Sequence, residues 1–320
     1  MTLMAPYRED DMAHEPRTPR VALAAVTTIV TLALVGCSAD DPLAETPGGE
    51  SSGASGTSVV GSQDYYSNEI IAEIYAQALE ANGFTVDRQM RIGQREVYLP
   101  EIEAGSIDVF PEYTGNLLQY WEPDTQARTS QDVYTALTAA VPDGLRVLDQ
   151  SAATDQDSYN VTRAFAEEND VASLADLSSV TVPLTLGGNS ELESRPYGPP
   201  GLSSVYGVDV SFTPIEDSGG PLTVKALLDG DVQLVNIFSA DPSIAKNDLM
   251  TLEDPEGLFL ASNVVPLVSE KIDDEAAEIL NTVSAALTAD ELVDLNVRSV
   301  DEQLAAATIA TDWLAEKNLF

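Results

Sequence analysis

Ile102-Glu103-Ala104-Gly105-Ser106-Ile107-Asp108-Val109-Phe110 and Leu227-Leu228-Asp229-Gly230-Asp231-Val232-Gln233-Leu234-Val235 share one grammar. Each reads as a helix end, a glycine cap and a strand that delivers aromatic or polar groups at its carboxyl end. Glycine ends helices because it takes the left-handed conformation without a Cβ clash. A strand so close behind a helix is one unit of an α/β sheet, and open α/β sheets bind ligands at the carboxyl ends of their strands. One such sheet in each half of the chain fits two lobes facing a cleft. The pattern alone fits ordinary α/β punctuation without a shared site equally well.

Outward from these stretches, short apolar runs alternate with helical periodicity. A strand is expected at Val59-Val60, then a helix over 67–82 whose face carries Ile70, Ile71, Ile74, Ala78 and Leu79, stopped by Gly83. A strand over 84–92, a helix over 97–104, a helix over 131–141 and a strand over 145–148 follow. The middle of the chain predicts strands over 180–184, 211–215 and 232–238, with helices over 202–206 and 223–228 between them. Three helices close the chain, over 275–287, 289–297 and 301–316, with Thr288 and Ser299 as expected N-caps. The alternation argues for parallel sheets flanked by helices.

The first residues set the expected compartment. Arg17 and Arg20 precede an apolar run over 21–35 that ends in Leu34-Val35-Gly36-Cys37. A charged segment, an apolar stretch and a small residue before the cut mark a secretory signal peptide. The run falls short of the roughly 20 apolar residues that span a bilayer. Leu-Val-Gly-Cys resembles the lipobox of bacterial lipoproteins, whose cysteine is acylated and becomes the first residue of the mature chain. Multiple acyl chains anchor a protein firmly, where one binds only marginally. Cys37 is the single cysteine, so no intrachain disulfide forms. Residues 38–58, rich in Ser, Gly, Ala, Pro, Asp and Glu, read as a flexible tether.

Composition removes several kinds of chemistry. The formal net charge is −38, which repels nucleic acid and anionic lipid surfaces and favours solubility. The only histidine, His14, lies in the leader. The secreted chain then lacks the base for Ser-His-Asp and Cys-His catalysis and the commonest zinc ligand. Gly49-Glu50-Ser51-Ser52-Gly53 fits G-x-S-x-G but sits in the tether with no strand before it. Glu216-Asp217-Ser218-Gly219-Gly220-Pro221 looks like a serine-protease nucleophile loop without its histidine; it reads instead as the turn before the helix at Thr223. No catalysis, cofactor or metal is expected.

Two longer stretches carry a resemblance. Glu69-Ile70-Ile71-Ala72-Glu73-Ile74-Tyr75-Ala76-Gln77-Ala78-Leu79-Glu80 and Gly105-Ser106-Ile107-Asp108-Val109-Phe110-Pro111-Glu112-Tyr113-Thr114-Gly115-Asn116 resemble the glycine betaine/choline/proline-betaine-binding proteins of osmoprotectant ABC transporters. Collinear support comes from Asp157-Ser158-Tyr159, Ser194-Arg195-Pro196-Tyr197-Gly198, Pro200-Gly201-Leu202, Val205-Tyr206-Gly207, Phe238-Ser239-Ala240-Asp241 and Val264-Val265-Pro266-Leu267-Val268. The matches cover about residues 59–270.

The resemblance implies an α/β, two-lobed type II periplasmic-binding-protein fold that closes on its ligand. One lobe comprises 59–158 plus 263–320 and the other 159–262, with hinge strands near 159–162 and 263–268. It also implies a tyrosine cage for a quaternary ammonium, which has no N–H to donate and is recognised by ring faces. An arginine and small polar donors take a carboxylate at the other end. By position, Tyr113 and Tyr159 match cage tyrosines, Thr114 and Arg195 match carboxylate contacts, and Asp157 lies at the cage edge. Gln63 faces the carboxylate. Phe238 stands where a tyrosine is common and Ser262 where another aromatic is expected, with Tyr65 or Tyr66 available to compensate. The implied function is an extracytoplasmic lipoprotein, expected to be monomeric, that delivers glycine betaine, choline or a similar osmolyte to an ABC permease. The alternative is the same fold binding an amino acid or another solute without a quaternary ammonium.

Overall fold

The computed structural model describes residues 56–320. The leader over 1–36, the lipidation candidate Cys37 and the tether as far as residue 55 lie outside the described residues. The first sheet contains β1 (Ser58–Gly61), β2 (Val86–Gln89), β3 (Val109–Tyr113), β4 (Leu145–Val147) and β10 (Val264–Ser269), in the order β2-β1-β3-β10-β4. The second contains β5 (Asp157–Thr162), β6 (Thr185–Gly188), β7 (Ser211–Pro214), β8 (Leu234–Phe238) and β9 (Leu249–Thr251), in the order β7-β6-β8-β5-β9. Both sheets follow one plan. Three parallel strands are extended by a central antiparallel strand and an edge strand. By position in that plan, β3 corresponds to β8, the two strands of the shared grammar.

The sheets are therefore mixed, where alternation predicts parallel ones. The reason is topological. β10 and β5 each enter their sheet directly after the chain crosses from the other one, without a helical return, and so run antiparallel to their neighbours. Every residue of β3 and β10 is buried, as befits central strands covered on both faces. On one face α1 (Tyr66–Ala81) packs through Ile70, Ile74 and Leu79 against Leu280, Ile309 and Trp313 of the C-terminal helices. On the other, α2 (Arg95–Glu103), α3 (Thr114–Trp121) and α4 (Ser130–Ala140) supply Leu99, Leu117 and Leu137. Among the described residues, no helix is long and apolar enough to cross a membrane.

Several local expectations move. The strand expected over 180–184 forms at Thr185–Gly188 instead. Pro183 has no N–H for a ladder, and pairing with β7 and β8 begins only at Thr185 and Leu186. The strand over 84–92 shrinks to β2. Helix α3 and helix α5 (Arg163–Asn169) appear where no helix was expected. Thr288 does cap its helix, its Oγ1 accepting from the Glu291 N–H at 3.3 Å. Ser299 does not: it lies inside the helix Ala289–Val300, and the last helix, Ala306–Lys317, follows Ala305 with no side-chain cap.

The chain passes between the sheets twice, over 148–156 and 252–263. These crossings touch. Thr154 bridges Asn263, the Thr154 hydroxyl donates to the Ser262 carbonyl at 2.9 Å, and the Val264 N–H donates to the Ala153 carbonyl at 3.0 Å.

Candidate ligand-binding site

The carboxyl ends of β1 and β3 are drawn together first. A Cβ on Gly61 would stand 2.9 Å from the Phe110 ring, so only glycine lets β1 approach here. Beyond it, the buried Asn68 accepts from the Gln63 N–H at 2.9 Å and donates to the Pro111 carbonyl at 2.9 Å. One amide thus ties the loop after β1 to the end of β3 and sets Gln63, Tyr65 and Tyr113 side by side. The Tyr65 ring lies 6.4 Å from that of Tyr113 at 28°, and 4.9 Å from that of Phe238 at 30°. Tyr113 ends β3 and Phe238 ends β8, so equivalent strands of the two sheets bring their last aromatic residues to one place.

These rings line one cleft, together with Gln63, Asn116, Tyr197 and Asn236. Acids stand beside them. Asp155 accepts from the Ser67 hydroxyl of α1 at 3.1 Å and from the Ala240 N–H beyond β8 at 2.9 Å. Asp157 accepts from Asn116 Nδ2 at 2.5 Å. Burial pushes the Asp155 carboxyl up to about 7, and the charges of Asp241 and Asp157 add to the rise. Burial also raises Asp157 and Glu191 above the usual carboxylate range. The Tyr65 and Tyr113 hydroxyls are raised by burial and by the neighbouring acid, and both stay protonated.

Both guanidinium groups of the cleft are already held. Arg95 forks onto Glu112 with two bonds of 2.9 Å, and Glu112 also accepts from the Tyr98 hydroxyl at 2.5 Å. Arg195 pairs with Glu96 of α2 at 2.7 Å. By contrast, Gln63 Nε2, the Tyr113 hydroxyl and Asn236 Nδ2 are buried along the wall without partners. An unpaired buried polar group costs free energy, so three at one cleft mark a surface completed by something from outside.

Of the residues expected from sequence, Gln63, Tyr113, Asp157, Arg195 and Phe238 line this cleft. Thr114 and Tyr159 do not. Thr114 is fully buried at the start of α3, its hydroxyl accepting from the Asn263 N–H at 3.0 Å and so pinning the helix to the return crossing. Tyr159 stands behind the wall in the second core, donating to the Tyr197 carbonyl at 2.6 Å, with its ring edge-on to Phe259 at 5.1 Å. Its position on β5 turns it to the face opposite Ser158 and into that core. Ser262, expected to be aromatic, has a different task. Its hydroxyl accepts from the Gly115 N–H at 3.1 Å and donates to Asn116 Oδ1 at 2.7 Å, holding Asn116 across to Asp157 and to the Tyr197 hydroxyl at 3.2 Å.

Sequence reasoning passed over Tyr197, Asp155, Asn116 and Asn236. Three of them left a trace, Asn116 as the last residue of the quoted stretch over 105–116. Tyr197 sits in the quoted Ser-Arg-Pro-Tyr-Gly motif, and Asp155 stands two residues before Asp157 in an extended crossing, where alternate side chains share a side.

The family model for the substrate-binding domain of ABC-type glycine betaine transport systems, OpuAC, matches residues 56–316. The glycine betaine-binding protein YehZ of Escherichia coli K12 is 26% identical over 273 residues, spanning 81% of this chain and 90% of that protein. A crystal structure of a glycine betaine/carnitine/choline ABC transporter component superposes with a TM-score of 0.66 at 17% identity, covering 82% of this chain and 99% of that one. Lactococcal OpuAC, closed on glycine betaine, gives a TM-score of 0.57 at 16% identity and covers 82% and 95%. Both superpositions concern the two-lobed fold.

Proposed function

Because this chain belongs to the family of substrate-binding domains of ABC-type glycine betaine transport systems, we propose that it captures a small quaternary-ammonium osmolyte between its lobes and hands it to an ABC importer. It is a solute-binding protein rather than an enzyme. The observation that carries the reading is the wall of Tyr65, Tyr113 and Phe238 beside the buried carboxyl of Asp155. Methylated nitrogen offers no donor, so ring faces and a nearby negative charge are what can hold it, each ring contributing about 0.5–2 kcal/mol. Tyr65 takes the place left by Ser262. Tyr197, Asn116, Gln63, Asn236 and Arg195 close the remaining sides.

Capture follows from the two-lobed plan. We take the lobes to follow the two sheets, so that the boundary expected at 158/159 moves to the crossings 148–156 and 252–263. These crossings serve as the hinge in place of the expected 159–162 and 263–268, which lie largely in the sheet strands β5 and β10. A ligand that touches both walls favours the closed arrangement by the free energy of the contacts absent from the open one. The protein is placed outside the cytoplasm and tethered to the membrane through acylated Cys37, with a membrane permease as its partner.

A thermal-shift panel on the purified chain tests this. Glycine betaine, choline or proline betaine at saturating concentration should raise the unfolding temperature by several degrees, since about 100-fold excess over Kd adds roughly 2.7 kcal/mol. No shift with any quaternary amine would refute the reading. A shift confined to an α-amino acid would select the alternative ligand class.

A further inference from the structure

The charge inventory of the cleft carries a further step, one that rests on the quaternary-ammonium reading above. A zwitterion such as glycine betaine brings a full negative charge, which a free cation holds better than neutral donors do. Here Arg95 is neutralised by Glu112 through a buried, two-bond fork, and Arg195 is neutralised by Glu96 across the mouth at 2.7 Å. Among the described residues, no other cation lines the cleft. Three carboxyl groups lining it, Asp155, Asp157 and Glu191, have no ion-pair partner among the described residues. Asp155 shares the cleft wall with Tyr65, Tyr113 and Phe238, fixed there by the Ser67 hydroxyl and the Ala240 N–H, and its charge acts on the hydroxyls of both tyrosines.

The unpartnered groups fit the same account. Gln63 Nε2 and Asn236 Nδ2 are neutral donors, and the Tyr113 hydroxyl can donate or accept. Neutral amides suit the oxygen of an alcohol, whose proton a carboxylate then accepts. They give a full negative charge far less than a guanidinium does. A carboxylate entering this cleft would meet three further carboxyl groups and no guanidinium without an acid of its own, and wherever those carboxyls ionise, like charges repel it.

We infer that this cleft selects ligands of net positive charge, a quaternary ammonium bearing a hydroxyl group rather than a carboxylate, and that Asp155 and Glu96 set this preference. Asp155 supplies the counter-charge for the ammonium. Glu96 withholds Arg195 from any ligand carboxylate. Neither residue follows from the cage pattern, and Glu96 works without touching the ligand, through the arginine it occupies.

Isothermal titration calorimetry of the purified chain at pH 8 with choline and with glycine betaine tests the inference. Choline should bind at least tenfold more tightly. Asp155→Asn should weaken choline at least tenfold while changing glycine betaine less than threefold. Glu96→Gln, at a half-exposed position where the fold is not at stake, should strengthen glycine betaine at least threefold and narrow the ratio. Equal or tighter binding of glycine betaine by the unaltered chain overturns the selectivity, as does an equal loss of both ligands in Asp155→Asn or an unmoved ratio in Glu96→Gln. Binding of neither compound overturns the broader reading along with it.

Discussion

Asp155 makes the protein sensitive to pH. Its carboxyl faces Tyr65, Tyr113, Asp157 and Asp241, and burial lifts it from 3.8 to about 7. In the unfolded chain it ionises near 3.8. The native state is therefore favoured by this group at pH below 3.8, and that contribution is lost as pH rises to about 7, at up to ~1.4 kcal/mol per unit. The unfolding temperature of the ligand-free chain should fall across this window, and Asp155→Asn should flatten the fall. Binding of a cation runs the other way. It favours the ionised form and expels a proton, so affinity should rise between pH 5.5 and 7, by at most about tenfold per unit; calorimetry in buffers of different ionisation enthalpy reads that proton. At Tyr113 the ring and the hydroxyl separate cleanly. Tyr113→Ala should cost roughly tenfold or more in affinity, and Tyr113→Phe, which keeps the ring face, much less. Side chains that end a strand were legible in the sequence, as Tyr113 and Phe238 were. Tyr159 was not, because a tyrosine one residue along a strand points to the opposite face, and no motif records which face meets a core.

Helix α3 shows how an element can be dictated by a close approach. It starts at Thr114, directly after β3, and runs beside the return crossing. A Cβ on Gly115 would stand 2.8 Å from the Ala261 carbonyl and 2.9 Å from Leu260 Cβ. Gly115→Ala should force the helix away from the crossing and destabilise the fold by about 1–3 kcal/mol, measured as a lowered midpoint in urea. Ligand affinity should fall as well, because Asn116 is aimed through the Ser262 hydroxyl. The helix was invisible to periodicity. Its eight residues give the pattern barely two turns, and the Tyr-Thr-Gly-Asn string reads as binding chemistry before it reads as structure. Helix α1, with sixteen residues and one apolar face, was plain. The mixed sheets escaped for a related reason: local alternation tells that strands and helices follow one another, whereas the direction of β5 and β10 is decided by where the chain crosses.

At the scale of the whole molecule, polar contacts join the two lobes at several places. Arg195 reaches Glu96, Asn116 reaches Tyr197, the Tyr66 hydroxyl reaches Asp241 at 2.6 Å, and Lys246 pairs with Asp301. Polar interfaces between lobes separate readily, so the ligand-free chain should sample open forms. Small-angle scattering should show a smaller radius of gyration with saturating ligand; an unchanged radius would count against closure. The repeated helix–glycine–strand string fitted two sheets and ordinary α/β punctuation equally well, and it was the resemblance along 59–270 that implied two lobes. The strand order also bears on how the molecule is made. The second sheet uses residues 157–251 without interruption, but the first keeps a central place, between β3 and β4, for β10 at residues 264–269. A chain that folds as its amino end appears first can complete the later-numbered sheet while the earlier one still waits for its keystone. Pulse-labelled amide exchange during refolding should accordingly protect β5, β6 and β8 ahead of β1 and β3, since closing the longer loop is the slower event.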